Sequence, residues 1–161
     1  MDWTIRRANL TEVNKVVLLW KAFMNDPLAI DEPIPTHEEN EKKQSQFIGE
    51  LIREDPQQVL VAEKEGELIG YVAYQVEQKA PVEMSRKRSF IHDLYVSPSH
   101  RGRGVGRSLL QACLNHLIDA GPRQVRIAVW VRNAGAIQLY RKMGFNDHLM
   151  VMKTETGVGS T

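Results

Sequence analysis

The sequence predicts a mixed α/β (α+β) fold, built as one domain with about four helices. Helix-start patterns alternate along the chain with runs of β-branched and aromatic residues, and 161 residues suffice to bury one core. The composition agrees, being 42% hydrophobic and 25% charged, close to the average for a soluble globular protein.

Residues 3–8 read as a short strand. Asn9-Leu10-Thr11-Glu12 follows, an Asn with a Glu three positions on, which is a capping-box pattern, so a helix is expected from there to about Met24. Asp26 to Pro35 contains three prolines and reads as loop. Thr36-His37-Glu38-Glu39 repeats the capping pattern ahead of a second helix reaching about Glu54, polar early and apolar late at Phe47, Ile48, Leu51 and Ile52.

Gln58–Glu63 and Leu68–Gln78 are β-rich runs joined by Lys64-Glu65-Gly66-Glu67, where Gly66 is available for a positive φ, so they are expected to pair as a hairpin. After a charged loop through Lys87 comes a strand, Ser89–Val96, then Ser97-Pro98-Ser99-His100, then an amphipathic helix from about Val105 to Asp119. Ala120-Gly121-Pro122 stops that helix, and Val125–Val131 has strong β propensity. A short helix, about Ala134 to Lys142, ends at Gly144, and Leu149–Lys153 reads as a last strand. The domain is expected over residues 1–154, with 155–161 as a flexible polar tail.

With 21 Lys and Arg against 20 Asp and Glu, the net charge is +1, too little to argue for nucleic acid or an anionic membrane as a partner. A lone cysteine, Cys113, excludes an internal disulfide and a cysteine-based metal cluster, and no metal is expected. It fits a reducing compartment, and the absence of an apolar run near Met1 or of any stretch of about 18 apolar residues makes a cytoplasmic location the expectation.

The richest segment is Arg101-Gly102-Arg103-Gly104-Val105-Gly106-Arg107, at a predicted helix start. A helix start presents backbone N–H groups without intrahelical acceptors and the positive end of the peptide dipoles, so it binds anions. Alternating glycines remove side chains that would hold a phosphate away, and Arg101, Arg103 and Arg107 add charge. A dinucleotide fingerprint needs Gly-x-Gly-x-x-Gly in the first strand–helix unit, whereas here the spacing is Gly-x-Gly-x-Gly and late in the chain. A P-loop needs Lys-Ser or Lys-Thr after its last glycine, and Gly106 is followed by Arg107-Ser108.

Arg101-x-x-Gly104-x-Gly106, preceded by Leu94-Tyr95-Val96-Ser97-Pro98, resembles the acetyl-CoA signature of the Gcn5-related N-acetyltransferase (GNAT) superfamily. Asn133-Ala134-Gly135-Ala136-Ile137-Gln138-Leu139-Tyr140-Arg141-Lys142-Met143-Gly144-Phe145 is similar to its second signature, and Val61-Ala62-Glu63 to Ile69-Gly70-Tyr71 to its hairpin. The motif layout is closest to the small-amine or diamine and the ribosomal-protein-type branches. The resemblance implies a mostly antiparallel sheet, splayed near residues 90–96 and 125–131, with acetyl-CoA as acyl donor to a primary amine in a ternary complex.

It further implies that Gly102 to Arg107 hold the pyrophosphate, that the pantetheine arm runs along the backbone of Leu94, Tyr95 and Val96, and that Asn133 and Ala136 border the cofactor. Tyr140 stands where the family commonly places the acid that protonates the CoA thiolate, and a thiol is a better acid than a phenol, so the transfer is downhill. For the base, strand alternation puts Phe90, His92, Leu94 and Val96 on one face and Ile91, Asp93 and Tyr95 on the other. The carboxylates of the histone-acetylating and polyamine-acetylating branches would fall at Phe90 and His92, and neither is present here. His92 is the candidate, as a neutral imidazole, with a plain strand histidine as the other reading. Asp93 is ranked as substrate-side or structural.

Trp130 and Cys113 read as core, and Glu38 to Lys43 as a solvated helix face, although Glu38, Glu39 or Asp31 could meet a cationic substrate. After Phe145 the superfamily usually has two strands where this chain has room for one, so a wall of the acceptor site is short or supplied by a homodimer partner. A non-catalytic CoA-binding regulatory module and a phosphate- or nucleotide-binding domain are the alternatives. The identity of the amine is left open.

Overall fold

The structure, a computed structural model, describes residues 1–77, 81–82, 86–121 and 123–157. Gln78, Pro122 and the end of the tail, all named above, lie outside these. Five strands form one sheet in chain order: β1 (Thr4–Arg7), β2 (Val59–Lys64), β3 (Glu67–Gln75), β4 (Arg88–Val96) and β5 (Gln124–Ile127). All pairs are antiparallel except β4 with β5, which is parallel. Helices α1 (Val13–Met24) and α2 (Glu38–Glu54) cover one face, burying Val16, Trp20, Ile48 and Leu51 against Val59, Val61, Tyr71 and Tyr95. The other face carries α3 (Val105–Asp119), which buries Leu109, Leu110, Cys113 and Leu117 against Val72, Tyr74 and Ile91, and α4 (Ala134–Lys142), which contributes Tyr140.

Local sequence accounts for most of these elements. Glu12 accepts the N–H of Asn9 at 2.9 Å, as the capping box requires, and also holds Arg6 at 2.7 Å. Arg6 bonds Glu63 of β2 as well, so one guanidinium ties β1, β2 and the start of α1, and it holds the Glu12 carboxyl down to about 2. The second helix starts one residue later than Thr36-x-x-Glu39 suggests. Its cap is His37, whose Nδ1 accepts the Asn40 N–H at 3.4 Å. Between β2 and β3 the turn is two residues, Glu65 at φ 52° and Gly66 at φ 84°, the mirror-image geometry that matches strand twist.

Three expectations fail, each for a tertiary reason. Between β3 and β4 the register passes from Ala73↔Asp93 to Tyr74↔Ile91, so His92 is an extra residue, a β-bulge. Strict alternation is broken there. Ile91, Leu94 and Val96 face α3, whereas Phe90, His92, Asp93 and Tyr95 are turned toward α1 and α2.

The fifth strand stops at Ile127 rather than Val131, because the parallel ladder ends at Ile91↔Ile127. Trp130, read as core, is 38% exposed beyond it. Leu149–Lys153 forms no strand; Leu149 to Met152 are 80–87% exposed, since β propensity without a pairing edge does not make a strand.

Candidate active site

The end of the β4–β5 ladder is what creates the site. β4 runs on from His92 to Val96 with no strand on its outer edge, so the sheet opens into a splay with unpaired backbone on β4 and α4 beyond β5. On the inner side β4 is pressed unusually close to β3. A Cβ at Gly70 would lie 2.7 Å from the Tyr95 carbonyl oxygen, so no other residue fits there without moving a strand.

At the mouth of the splay, Val96 leads through a short 3₁₀ turn, Pro98–His100, into the glycine segment. Gly102 and Gly104 adopt φ of +73° and +91°, the left-handed region that favours glycine. From Gly102 onward, the first N–H to find a backbone acceptor is that of Ser108, on Gly104 at 3.0 Å. Six N–H groups, Gly102 to Arg107, are therefore presented together, with Arg103 and Arg107 exposed beside them. Gly106 is less constrained by the protein. A Cβ there would meet Leu139 and Val96 at 3.5 and 3.6 Å, ordinary contact.

Arg101 departs from the expected pattern. Its guanidinium is engaged with Val96, Asp26 and Tyr95 and is turned away from the N–H array. Tyr95 likewise points into the α1–α2 core, edge-on to Phe23 at 5.3 Å, leaving only its backbone to the splay.

Asn133 caps α4, its Oδ1 accepting the Ala136 N–H at 3.2 Å. This cap sets the helix that delivers Tyr140, which is 7% exposed and tilted against Phe145 at 5.9 Å. The Tyr140 hydroxyl has no protein partner among the described residues and is still in reach of solvent. Burial and, secondarily, the Asp93 charge push this phenol well above its usual pKa, so it stays protonated.

Asp93, ranked from the sequence as substrate-side or structural, is placed by the same bulge. The bulge turns it toward α2, where Oδ2 accepts the Tyr71 hydroxyl at 3.0 Å and the Gln44 amide at 3.3 Å. Oδ1 has no partner among the described residues and remains solvent-accessible. Burial pushes this carboxyl up to about 6, although both hydrogen bonds pull the other way. His92 is half-buried beside it, its Nε2 on Gln75 Oε1 at 2.8 Å and its ring edge-on to Phe47 and Phe90 at 5.0 Å each. Burial lowers its pKa, so the imidazole is neutral, and the Gln75 bond places the proton on Nε2. No sequence motif marks Gln44, Tyr71 or Gln75. Only the hairpin register and the packing of α2 bring them to β4.

The sequence profile of the Acetyltransferase (GNAT) family matches residues 20–145, most of the chain, from the end of α1 through α4. The chain belongs to the GNAT family.

Individual relatives agree. An uncharacterised N-acetyltransferase of Methanocaldococcus jannaschii is 33% identical over 101 residues, which is 63% of this GNAT chain and 44% of that protein. An N-alpha-acetyltransferase of Sulfurisphaera tokodaii is 28% identical over 153 residues, covering 91% of this chain and 81% of its own length. Among solved structures, the ribosomal-protein-alanine N-acetyltransferase of Brucella melitensis superposes with a TM-score of 0.71 at 27% identity, over 89% of this chain and 84% of that one. No helix among the described residues of the GNAT chain is long and apolar enough to cross a membrane.

Proposed function

We propose that this GNAT chain transfers the acetyl group of acetyl-CoA to a primary amine by direct attack, with both substrates bound in the splay. One observation carries the proposal. The opening between β4 and β5 has at its mouth six N–H donors without a backbone acceptor and, among the described residues, two solvent-accessible oxygen atoms without a protein partner beside it, Asp93 Oδ1 and the Tyr140 hydroxyl. The N–H groups of Gly102 to Arg107 fit a pyrophosphate by number and sign, and the free edge of β4 fits a pantetheine arm laid along it as an added strand.

The amine arrives as an ammonium ion and must lose a proton before it attacks. A carboxylate with a pKa near 6 is ionised at neutral pH yet basic enough to take that proton directly or through a water. We assign this step to Asp93, whose Oδ1 is solvent-accessible, rather than to His92, whose ring is packed edge-on against two phenylalanines. Attack of the neutral amine on the thioester carbonyl forms the C–N bond and places charge on oxygen, within reach of a β4 backbone N–H. Collapse breaks the C–S bond, Tyr140 hydrogen-bonds or protonates the departing thiolate, and the second proton of the amine nitrogen leaves to restore the Tyr140 hydroxyl or goes to solvent. Asn133 holds α4, and thereby Tyr140, in place, with Ala136 on the cofactor side.

The acceptor class with most support is the α-amino group of a polypeptide. Three relatives that are 27–29% identical over about nine tenths of this chain act, by their names, on such amines, whereas the aminoglycoside acetyltransferase structures that cover it as fully are under 20% identical and share the fold. The test is thiol release from acetyl-CoA with a panel comprising a short peptide with a free α-amino group, its Nα-blocked lysine counterpart, a polyamine and an aminoglycoside. Faster release with the free peptide than with the other three is expected. CoA binding without turnover of any amine would instead make the chain a CoA-binding module.

A further inference from the structure

Arg101 opens the glycine segment, and the charge of that segment suggests a phosphate ligand. Its side chain does something else. Nε donates to the Val96 carbonyl at 2.8 Å, a terminal nitrogen donates to Asp26 at 2.5 Å, and the guanidinium lies 5.3 Å from the Tyr95 ring centroid. Three partners on three sides hold the planar fork, and its Asp26 partner is only 9% exposed.

Asp26 is itself an organising residue. Its other oxygen accepts the Leu28 N–H at 3.0 Å, and its carbonyl accepts the N–H groups of Ala29 and Ile30, both at 3.0 Å. These bonds coil the start of the α1–α2 connection and set Ala29 and Ile30 into the core, 6% and 2% exposed. Next along the connection, Asp31 pairs with Arg132 at 3.0 Å, in the turn after β5, and Glu32 pairs with Lys153. The connection is thus fastened to the end of β4 on one side of the splay and beyond β5 on the other.

We infer that Arg101 is a positioning residue, a bracket that fixes the α1–α2 connection relative to the pyrophosphate loop, and that Arg103 and Arg107 supply the charge at the phosphates. The inference rests on the proposal that this loop takes CoA. Through the bracket, the backbone that holds the donor and the segment that crosses the acceptor side of the splay share one reference point. An acceptor amine then meets the thioester at a distance set by Arg101, although Arg101 touches neither.

The test compares Arg101→Lys, Arg101→Ala and Asp26→Asn with Arg103→Ala, by calorimetric Kd for CoA and by amide hydrogen exchange at Leu28 to Ile30. Lysine keeps the charge but lacks the planar fork that donates to Val96 and Asp26 from separate nitrogens, and asparagine keeps the local turn but loses the ion pair. The bracket predicts faster exchange at Leu28 to Ile30 in all three variants, with CoA affinity within about threefold of the parent in Arg101→Lys and Asp26→Asn. Arg103→Ala is expected to do the reverse, weakening CoA by several-fold and leaving that exchange unchanged. For the peptide of the amine panel, the bracket variants raise KM with little change in kcat, a split that a plain loss of folded protein does not produce.

Loss of CoA affinity in Arg101→Lys equal to that in Arg103→Ala, with exchange at Leu28 to Ile30 unaltered, would overturn the bracket and make Arg101 a phosphate ligand. Failure of the parent protein to bind CoA at all would overturn the donor-site proposal as well, so the two failures are distinguishable.

Discussion

The donor side and the acceptor side of the splay are built from different materials. On the proposed donor side the groups are backbone N–H groups, set by two glycines with positive φ and by the start of α3, all within Gly102 to Arg107. On the proposed acceptor side the groups are side chains brought from four elements: Gln44 of α2 and Tyr71 and Gln75 of β3 hold Asp93 and His92 of β4, and Asp93 is near enough to Tyr140 of α4 for its charge to act on that phenol. Backbone sites are specified by a few adjacent residues; side-chain sites depend on register and packing. The first tolerates change in surrounding residues and little in its own glycines, and the second is the reverse.

The largest expected effect is therefore on the acceptor side, at Asp93. Asp93→Asn removes the proton acceptor while keeping the Tyr71 and Gln44 contacts in outline, and kcat/KM is expected to fall about 10²- to 10³-fold with CoA affinity nearly unchanged. In the parent, kcat/KM is expected to rise with pH through an inflection near 6 and then level, because the ionised carboxylate is the active form. Stability runs the other way. The folded-state pKa of about 6 lies above the ordinary 3.8, so between these values the folded protein holds a proton that the unfolded chain releases. The carboxyl thus costs stability as pH rises through that window and continues to do so above it. Asp93→Asn is expected to raise the thermal midpoint at pH 7.5 while abolishing most turnover. A variant that loses both would mean Asp93 is chiefly a structural link between β4 and α2.

Tyr140→Phe comes next, with kcat lowered about 10-fold or more and CoA affinity within a few-fold, since the ring and its packing on Phe145 remain. An unchanged kcat would remove Tyr140 from the chemistry and leave the thiolate to solvent.

On the donor side the comparison sharpens between two glycines. Gly104→Val forces a β-branched residue to φ +91° and is expected to weaken CoA binding about tenfold and cost about 1–2 kcal/mol of stability. Gly106→Ala places its methyl at ordinary contact distance from Leu139 and Val96, so stability is expected to move by less than about 0.5 kcal/mol. If both glycines respond alike to substitution, the loop is not a backbone cradle set by φ.

This division also explains what the sequence could reveal. The bounds of α3 and α4 and the glycine segment at the start of α3 were legible because each is decided within a few neighbouring positions. The faces of β4 were not, since the bulge at His92 depends on how Tyr74 and Ala73 pair across the hairpin. Reading alternation through that point placed Asp93 opposite His92 when the two share a face. Leu149–Lys153 failed similarly: its residues favour a strand, but strand formation needs an edge, which local preference does not report.

The smallest effect is expected at His92, and it decides which of two neighbours accepts the proton. Burial pushes Asp93 up to about 6 and His92 down from its ordinary 6.5, so the two move toward each other and a rising limb in a pH profile does not by itself name the base. Substitution separates them. His92→Gln retains a polar partner for Gln75 and a planar group between Phe47 and Phe90, so with Asp93 as the base kcat/KM should drop less than about threefold, its inflection still near 6. Were the imidazole the base, the same variant would lose as much as Asp93→Asn and its profile would flatten, because the amide that replaces the ring does not titrate.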